Sequence, residues 1–299
     1  MPPSLPSVSL AGDCVPQETA RRLRSGGWTR SKRGVYVPAD AVAERRSAAL
    51  ARIASVHASL GAPHVFSHGS AALLWGLPLW VVPDTTDVYQ RNHPGRGSDP
   101  LVRRHAAPLA DRAVTALHGV PVTTLERTVV DCARTMRPLA AMVVADAGLR
   151  AGASPDRLTE LLDQSRGAPG TARARAVIEV ADGGAESPWE TATRFVLLAD
   201  GLPRPATQVP VVTHLGTFWA DIGWEDWHLL MEYDGRSKYA GIEDLIREKR
   251  RHDAIVETGR RVLRVTKEDV RAQHAMLRRI ADLLPADIPR VRRPHLRSR

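Results

Sequence analysis

Lysine is scarce in this sequence. Among 42 basic residues only Lys32, Lys238, Lys249 and Lys267 are lysines, and all the others are arginine. A bias of that kind fits a genome rich in arginine codons as well as it fits phosphate recognition. The net charge of +9 and pI near 10.3 therefore point only broadly to a polyanionic partner. Cysteine is nearly absent too. Cys14 and Cys132 lie far apart with no partner at metal-binding spacing, which excludes a disulfide framework and a cysteine zinc site, and both read as ordinary thiols. No apolar run is long enough to span a bilayer, so no membrane partner is expected. The N-terminal "MPPSLPSVSLAGDC" has proline where an export signal has a basic flank and an apolar core, and the expected location is the cytoplasm. Repeats at a fixed period are also missing.

What is present is enough for a sizeable core: 299 residues, 43% of them hydrophobic, suggest about two domains. Residues 1–40 carry "QETARRLRSGGWTRSKRGVYVPAD", which reads as one helix stopped by Gly26 and Gly27 and followed by a basic hairpin on Trp28 and Val35 to Val37. Arg30, Lys32 and Arg33 of that wing are candidate DNA contacts, and a plain capping hairpin is the alternative. Residues 41–175 alternate helices and strands. "AVAERRSAALARIASVHASL" is an amphipathic helix, "HVFSHGSAALLWGLPLW" a strand into a capped helix, and "GVPVTTLERTVVDCAR" repeats that pattern. His64 and His68 do not share a helix face and read as solvated or hydrogen-bonded histidines rather than metal ligands.

A change to Gly-, Ala- and Arg-rich sequence places a boundary at about residues 165–183. Over 183–284 the expected order is helix, three strands, helix, strand, helix, an α/β arrangement with mixed strand directions. The arginine-rich end, 285–299, reads as a solvated basic tail.

The chemistry is concentrated in "TFWADIGWEDWHLLMEYDG". Asp221 closes one apolar strand and Glu232 and Asp234 end the next, so a hairpin turning near Trp224 to Trp227 brings three acids to one sheet edge. Glu190, on the preceding helix, is a candidate fourth, with Glu186 one turn before it. Oxygen-rich clusters of this kind hold Mg²⁺ or Mn²⁺, which activates water for phosphoryl transfer. The plainer alternative is an ion pair between Glu232 and one of Arg247, Arg250 or Arg251 on the long charged helix that follows. Those three arginines are also candidate phosphate contacts.

The segment from Glu186 to Val270, with "ESPWETATRF", "FWADIGW", "LLMEYDGRSKY" and "RRVLRVTKEDV", resembles the PD-(D/E)XK restriction-endonuclease-like superfamily, in the branch of the very-short-patch mismatch-repair endonuclease. The resemblance implies a mixed sheet flanked by helices and a metal surrounded by Glu190, Asp221 and Glu232, with Asp234 as an outer or alternate ligand. Asp234 stands where the superfamily has a lysine, and the histidine common after the "DG" is missing. Lys238 is then the candidate for the water-orienting cation, and Asp221, Glu232 and Lys238 are the implied catalytic set.

In the N-terminal half, "RGVYVPA", "FSHGSAALLWGLPLW", "GVPVTTLERTVVDCAR" and "VVADAGLRAG" resemble the AbiEi-type antitoxins of type IV toxin–antitoxin systems. In those proteins a winged helix-turn-helix precedes a mixed α/β region. Only one helix precedes the wing here, so the expectation is a partial winged helix. Together the two resemblances imply a DNA-binding protein whose C-terminal domain hydrolyses phosphodiester bonds with Mg²⁺ or Mn²⁺. The alternative is a non-enzymatic antitoxin-like transcriptional regulator that keeps the nuclease fold as a scaffold and has a cognate toxin as partner.

Overall fold

The computed structural model describes residues 3–11, 16–90, 99–234 and 242–297. The chain folds as two compact units, Met1–Thr135 with Ala153–Gly167, and Met136–Gly152 with Ala168–Arg299. Both are mixed α/β, as the sequence leads one to expect. Among the described residues no helix is long and apolar enough to cross a membrane.

The N-terminal unit begins with β1 (Ser9–Leu10), α1 (Pro16–Arg24) and a hairpin of β2 (Trp28–Lys32) and β3 (Val35–Pro38). Gly34, at φ 75°, makes the hairpin turn in a backbone region open to glycine. The three strands form a small antiparallel sheet, order β1-β3-β2, in which Val35 and Val37 are buried. Next come α2 (Arg45–Ser59), β4 (Val65–Phe66), α3 (His68–Leu74), β5 (Thr86–Tyr89), β6 (Val102–His105), β7 (Val114–Leu117), β8 (Val120–Thr123) and α4 (Leu125–Thr135). After α5 (Pro138–Arg150), which packs with the second unit, α6 (Pro155–Gln164) returns to the first. A five-stranded mixed sheet, order β6-β5-β4-β8-β7, is the framework of this unit. Ala49, Leu50, Ile53 and Val56 recur at helical spacing on α2 and meet Phe66, Val88 and Val122 in its core.

The second unit continues with α7 (Thr171–Val180), α8 (Pro188–Asp200), β9 (Ala206–Thr213), β10 (Gly216–Trp224), β11 (Leu229–Tyr233), α9 (Ile242–Glu257), β12 (Arg261–Val265), α10 (Lys267–Arg271) and α11 (Gln273–Ala281). Its sheet has the order β12-β11-β10-β9. Short turns make β9, β10 and β11 antiparallel, and the crossover through α9 makes β12 parallel to β11.

A buried ion pair explains why α5 belongs to this unit. Asp146 of α5 accepts hydrogen bonds from Arg194 Nη1 at 2.7 Å, Thr191 Oγ1 at 2.9 Å and the Asp182 N–H at 2.8 Å. Arg194 is 0% exposed, and its Nη2 donates to the Val180 carbonyl at 2.9 Å, so one guanidinium ties α8 to α5 and to the end of α7. Burial pushes the Asp146 carboxyl up to about 6, with Arg194 the chief influence in the other direction. Removing one partner strands the other charge out of water. Arg194→Leu is therefore expected to cost about 3–5 kcal/mol, read from the urea midpoint.

The basic C-terminal segment is docked rather than solvated. Arg293 Nη1 donates to the carbonyls of Leu198 at 3.1 Å and Leu202 at 2.9 Å, Arg297 Nε donates to Ala199 O at 2.6 Å, and the Val291 N–H donates to Gly201 O at 2.8 Å. These carbonyls close α8, where a helix leaves its last acceptors without internal partners. Leu296, 2% exposed, anchors the segment. Leu296→Ala should destabilise by about 2–5 kcal/mol in the same titration. No loss would mean that the segment is free in solution.

Candidate functional site

The acid cluster is built by the β10–β11 hairpin. Its register pairs Ile222 with Met231, Gly223 with Leu230 and Trp224 with Leu229, so the next step along brings Asp221 beside Glu232. Asp221 does not leave its carboxylate idle: Oδ2 accepts the Tyr233 N–H at 2.7 Å, a side chain supplying what a ladder carbonyl would otherwise supply. On the other flank, Gln208 of β9 lies between the pairs Thr207–Ile222 and Val209–Ala220 and has φ 48°. The backbone leaves regular strand geometry opposite Asp221, at a cost typical of functional sites.

Beyond the strand ends opens a cavity of about 670 Å³. Its charged walls are the carboxylates Asp221, Glu232, Asp234 and Glu248 and the guanidiniums Arg247, Arg250, Arg251 and Arg264. The acid side and the basic side face each other because the β11–α9–β12 crossover carries α9 back over the sheet. Arg251 Nη2 donates to Glu232 Oε1 at 2.5 Å, while its Nη1 lies 3.3 Å from both Glu248 oxygens. Arg264, paired with Glu232 in the parallel register, donates to Glu248 Oε1 at 2.6 Å. Burial works against the charge on Arg251, but Glu232 and then Glu248 more than offset it, and its pKa is raised. The aromatic ring of Tyr233 stacks on Trp189 at 5.9 Å, and Lys267 lies over Trp189 at 5.5 Å.

Of the residues expected to surround a metal, Asp221, Glu232 and Asp234 share this cavity. Glu190 does not line it. Its Oε2 accepts the Glu186 N–H at 2.7 Å, and its own N–H is capped by Ser187 Oγ at 3.2 Å, so it serves the start of α8. Lys238 lies outside the described residues. Among the described residues no group of three or more His, Cys, Asp or Glu side chains is arranged to hold a metal ion. A divalent ion wants several uncompensated oxygens, whereas here Arg251 and Arg264 engage Glu232 and Glu248, and Asp221 gives Oδ2 to the Tyr233 N–H. The donor set as it stands does not fit a resident Mg²⁺ or Mn²⁺. Glu248 and Arg264 were not legible as site residues, although Glu248 stands one helical turn before Arg251.

In the N-terminal unit, Arg30 and Arg33 are exposed on the wing, but Lys32 is bound to Asp99 at 2.6 Å. The motifs "FSHGSAALLW" and "TTLERTVVDCAR" converge on β5 and β6. The Tyr89 hydroxyl donates to Asp131 Oδ1 at 3.1 Å, and Arg127 holds Asp131 through Nε at 2.9 Å and the Tyr89 oxygen through Nη2 at 2.6 Å. His105 binds Asp87 at 2.9 Å and stacks on His68 with ring centroids 3.7 Å apart. Burial, then His105 and three arginines, lower the His68 pKa to about 2. His64 instead pairs with His57 at 3.1 Å. Cys132 is buried and free, its thiol pKa raised by burial, which fits an unreactive thiol. Cys14 lies outside the described residues.

No family model matches the chain. It is similar to two uncharacterized proteins of Mycobacterium tuberculosis, MT2308 of strain CDC 1551 / Oshkosh and Rv2248 of strain H37Rv. Each is 28% identical over 263 residues, spanning 87% of this chain and 93% of the relative. The crystal structure of the Rv2827c protein of Mycobacterium tuberculosis aligns with 70% of this chain and 80% of its own, at 21% identity and a TM-score of 0.37.

Asp221 has a structural duty that a metal ligand alone would not have. Asp221→Ala leaves the Tyr233 N–H without its acceptor and is expected to cost about 1–3 kcal/mol, while Asp221→Asn keeps an acceptor and costs less. Chemical denaturation of the two variants separates the roles: equal stability of Ala and Asn variants would deny the strand-holding bond any weight.

Proposed function

We propose that this protein binds DNA and that its C-terminal unit grips the phosphodiester backbone without cutting it, in the manner of an antitoxin-like transcriptional regulator of the cytoplasm. The observation that supports this most is the composition of the Asp221–Glu232 cavity, where Arg251 and Arg264 neutralise Glu232 and Glu248 and where Arg247 and Arg250, both on the lining, are exposed on α9. Guanidiniums at i, i+3 and i+4 share a helix face, and exposed arginines in such a row match successive phosphate oxygens. Arg30 and Arg33 of the wing add a second basic surface. The regulatory part, and a cognate toxin as partner, rest on the resemblance of the N-terminal half to AbiEi-type antitoxins.

A second reading is a metal-dependent endonuclease with Asp221, Glu232 and Lys238 as its catalytic set. The neighbouring placement of Asp221 and Glu232 across one antiparallel pair favours it.

Fluorescence anisotropy with a DNA duplex tests the first reading. Affinity is expected to fall steeply with salt, and replacing Arg247 and Arg250 together by alanine should reduce the slope of log K against log salt by about 2, since each neutralised phosphate contributes about 0.9. Affinity that barely changes with salt would remove the phosphate-binding reading. Incubation with Mg²⁺ or Mn²⁺ and duplex, single-stranded or mismatched DNA should leave the DNA intact. Cleavage that disappears in Asp221→Asn would establish the nuclease instead.

A further inference from the structure

The structure assigns to Arg251 the place that a divalent cation would take in a metal-dependent site, and we infer that the pocket receives phosphodiester oxygens with no metal at all. This rests on the DNA-binding reading above and specifies its chemistry.

Glu232 ends a buried strand and is itself only 9% exposed, so its charge needs a counter-ion within contact distance. In a metal-loaded site that counter-ion arrives with the metal. Here it is part of the chain. Arg251 is held from several sides: by Glu232 at 2.5 Å, by both Glu248 oxygens at 3.3 Å, by the Trp219 carbonyl at 3.4 Å, and by Phe218, whose ring centroid lies 5.7 Å from the guanidinium carbon. Arg264 fixes Glu248 in turn at 2.6 Å. The series Glu232, Arg251, Glu248, Arg264 alternates in sign. Inserting a divalent ion beside Glu232 would require evicting Arg251, which breaks its bonds to both carboxylates and leaves Glu248 with one partner fewer.

A planar guanidinium locked by two carboxylates and placed over an aromatic ring is a fixed charge, not a mobile side chain awaiting a ligand. Arg247 and Arg250 line the same pocket from the exposed face of α9, groups suited to the non-bridging oxygens of a phosphodiester. Asp234 adds a further acid, and no further cation, to the strand side of the pocket. The arrangement therefore suits binding of phosphate esters and not their hydrolysis.

Mn²⁺ titration of the full chain, followed by electron paramagnetic resonance, tests this together with DNA anisotropy in EDTA and in Mg²⁺ at matched ionic strength. Wild-type protein is expected to bind no Mn²⁺ at millimolar concentration and to bind DNA equally, within twofold, in EDTA and Mg²⁺. Arg251→Gln should gain Mn²⁺ binding at least tenfold, and adding Asp221→Asn to that variant should remove the gain. If Arg251→Gln does not fold, the wild-type measurements still decide. Stoichiometric Mn²⁺ binding by wild type that Glu232→Gln abolishes, or DNA binding that needs Mg²⁺, overturns the inference while leaving the DNA-binding reading intact. An absence of DNA binding in both buffers sinks that reading instead, and a wild-type chain that then takes up Mn²⁺ at Glu232 sinks both.

Discussion

A carboxylate removed from water must meet a cation or donors of comparable strength, and in this protein arginine meets that need at the buried acids Asp131, Asp146 and Glu232. Arg194 compensates Asp146, Arg251 compensates Glu232 and shares Glu248 with Arg264, and Arg127 compensates Asp131. The guanidinium is suited to this because its planar set of donors satisfies two acceptors at once and is more weakly hydrated than an ammonium. The scarcity of lysine then has a structural counterpart. Part of the positive charge, at Arg194, Arg127, Arg251 and Arg264, is committed to acids within the fold rather than offered to a polyanion.

The same rule governs the end of the chain. Arginines near residues 290–297 hold the last carbonyls of α8, where the helix has no further N–H groups of its own. An arginine-rich terminus reads as a solvated tail from composition, since nothing local says which acceptors it will find. The docking depends on Leu296 being buried and on α8 ending at Gly201, whose φ of 96° turns the chain away.

At the site, the strands and their acids were legible in "TFWADIGWEDWHLLMEYDG": apolar runs broken by a turn place Asp221 and Glu232 together. The role of Glu190 was not: it read as a metal ligand, and the structure instead uses its carboxylate to accept the Glu186 N–H at the start of α8. What the spacing could not tell is which of Arg247, Arg250 and Arg251 reaches Glu232. A helix offers several neighbouring guanidiniums to one acid, and the choice of Arg251 follows from how α9 lies over the sheet, a consequence of the crossover to β12.

By itself the sequence determined the mixed α/β class, the order of helices and strands and the pairing of Asp221 with Glu232, because each follows from periodicity or turn chemistry over a few residues. Tertiary structure alone decided that α5 joins the second unit through Asp146 and Arg194, that Glu248 and Arg264 complete the charged pocket, and that Asp87 of β5 binds His105 of β6. Those contacts join residues 16 to 48 positions apart. Their energies depend on distance in space and on exclusion of water, which no local pattern of residues records.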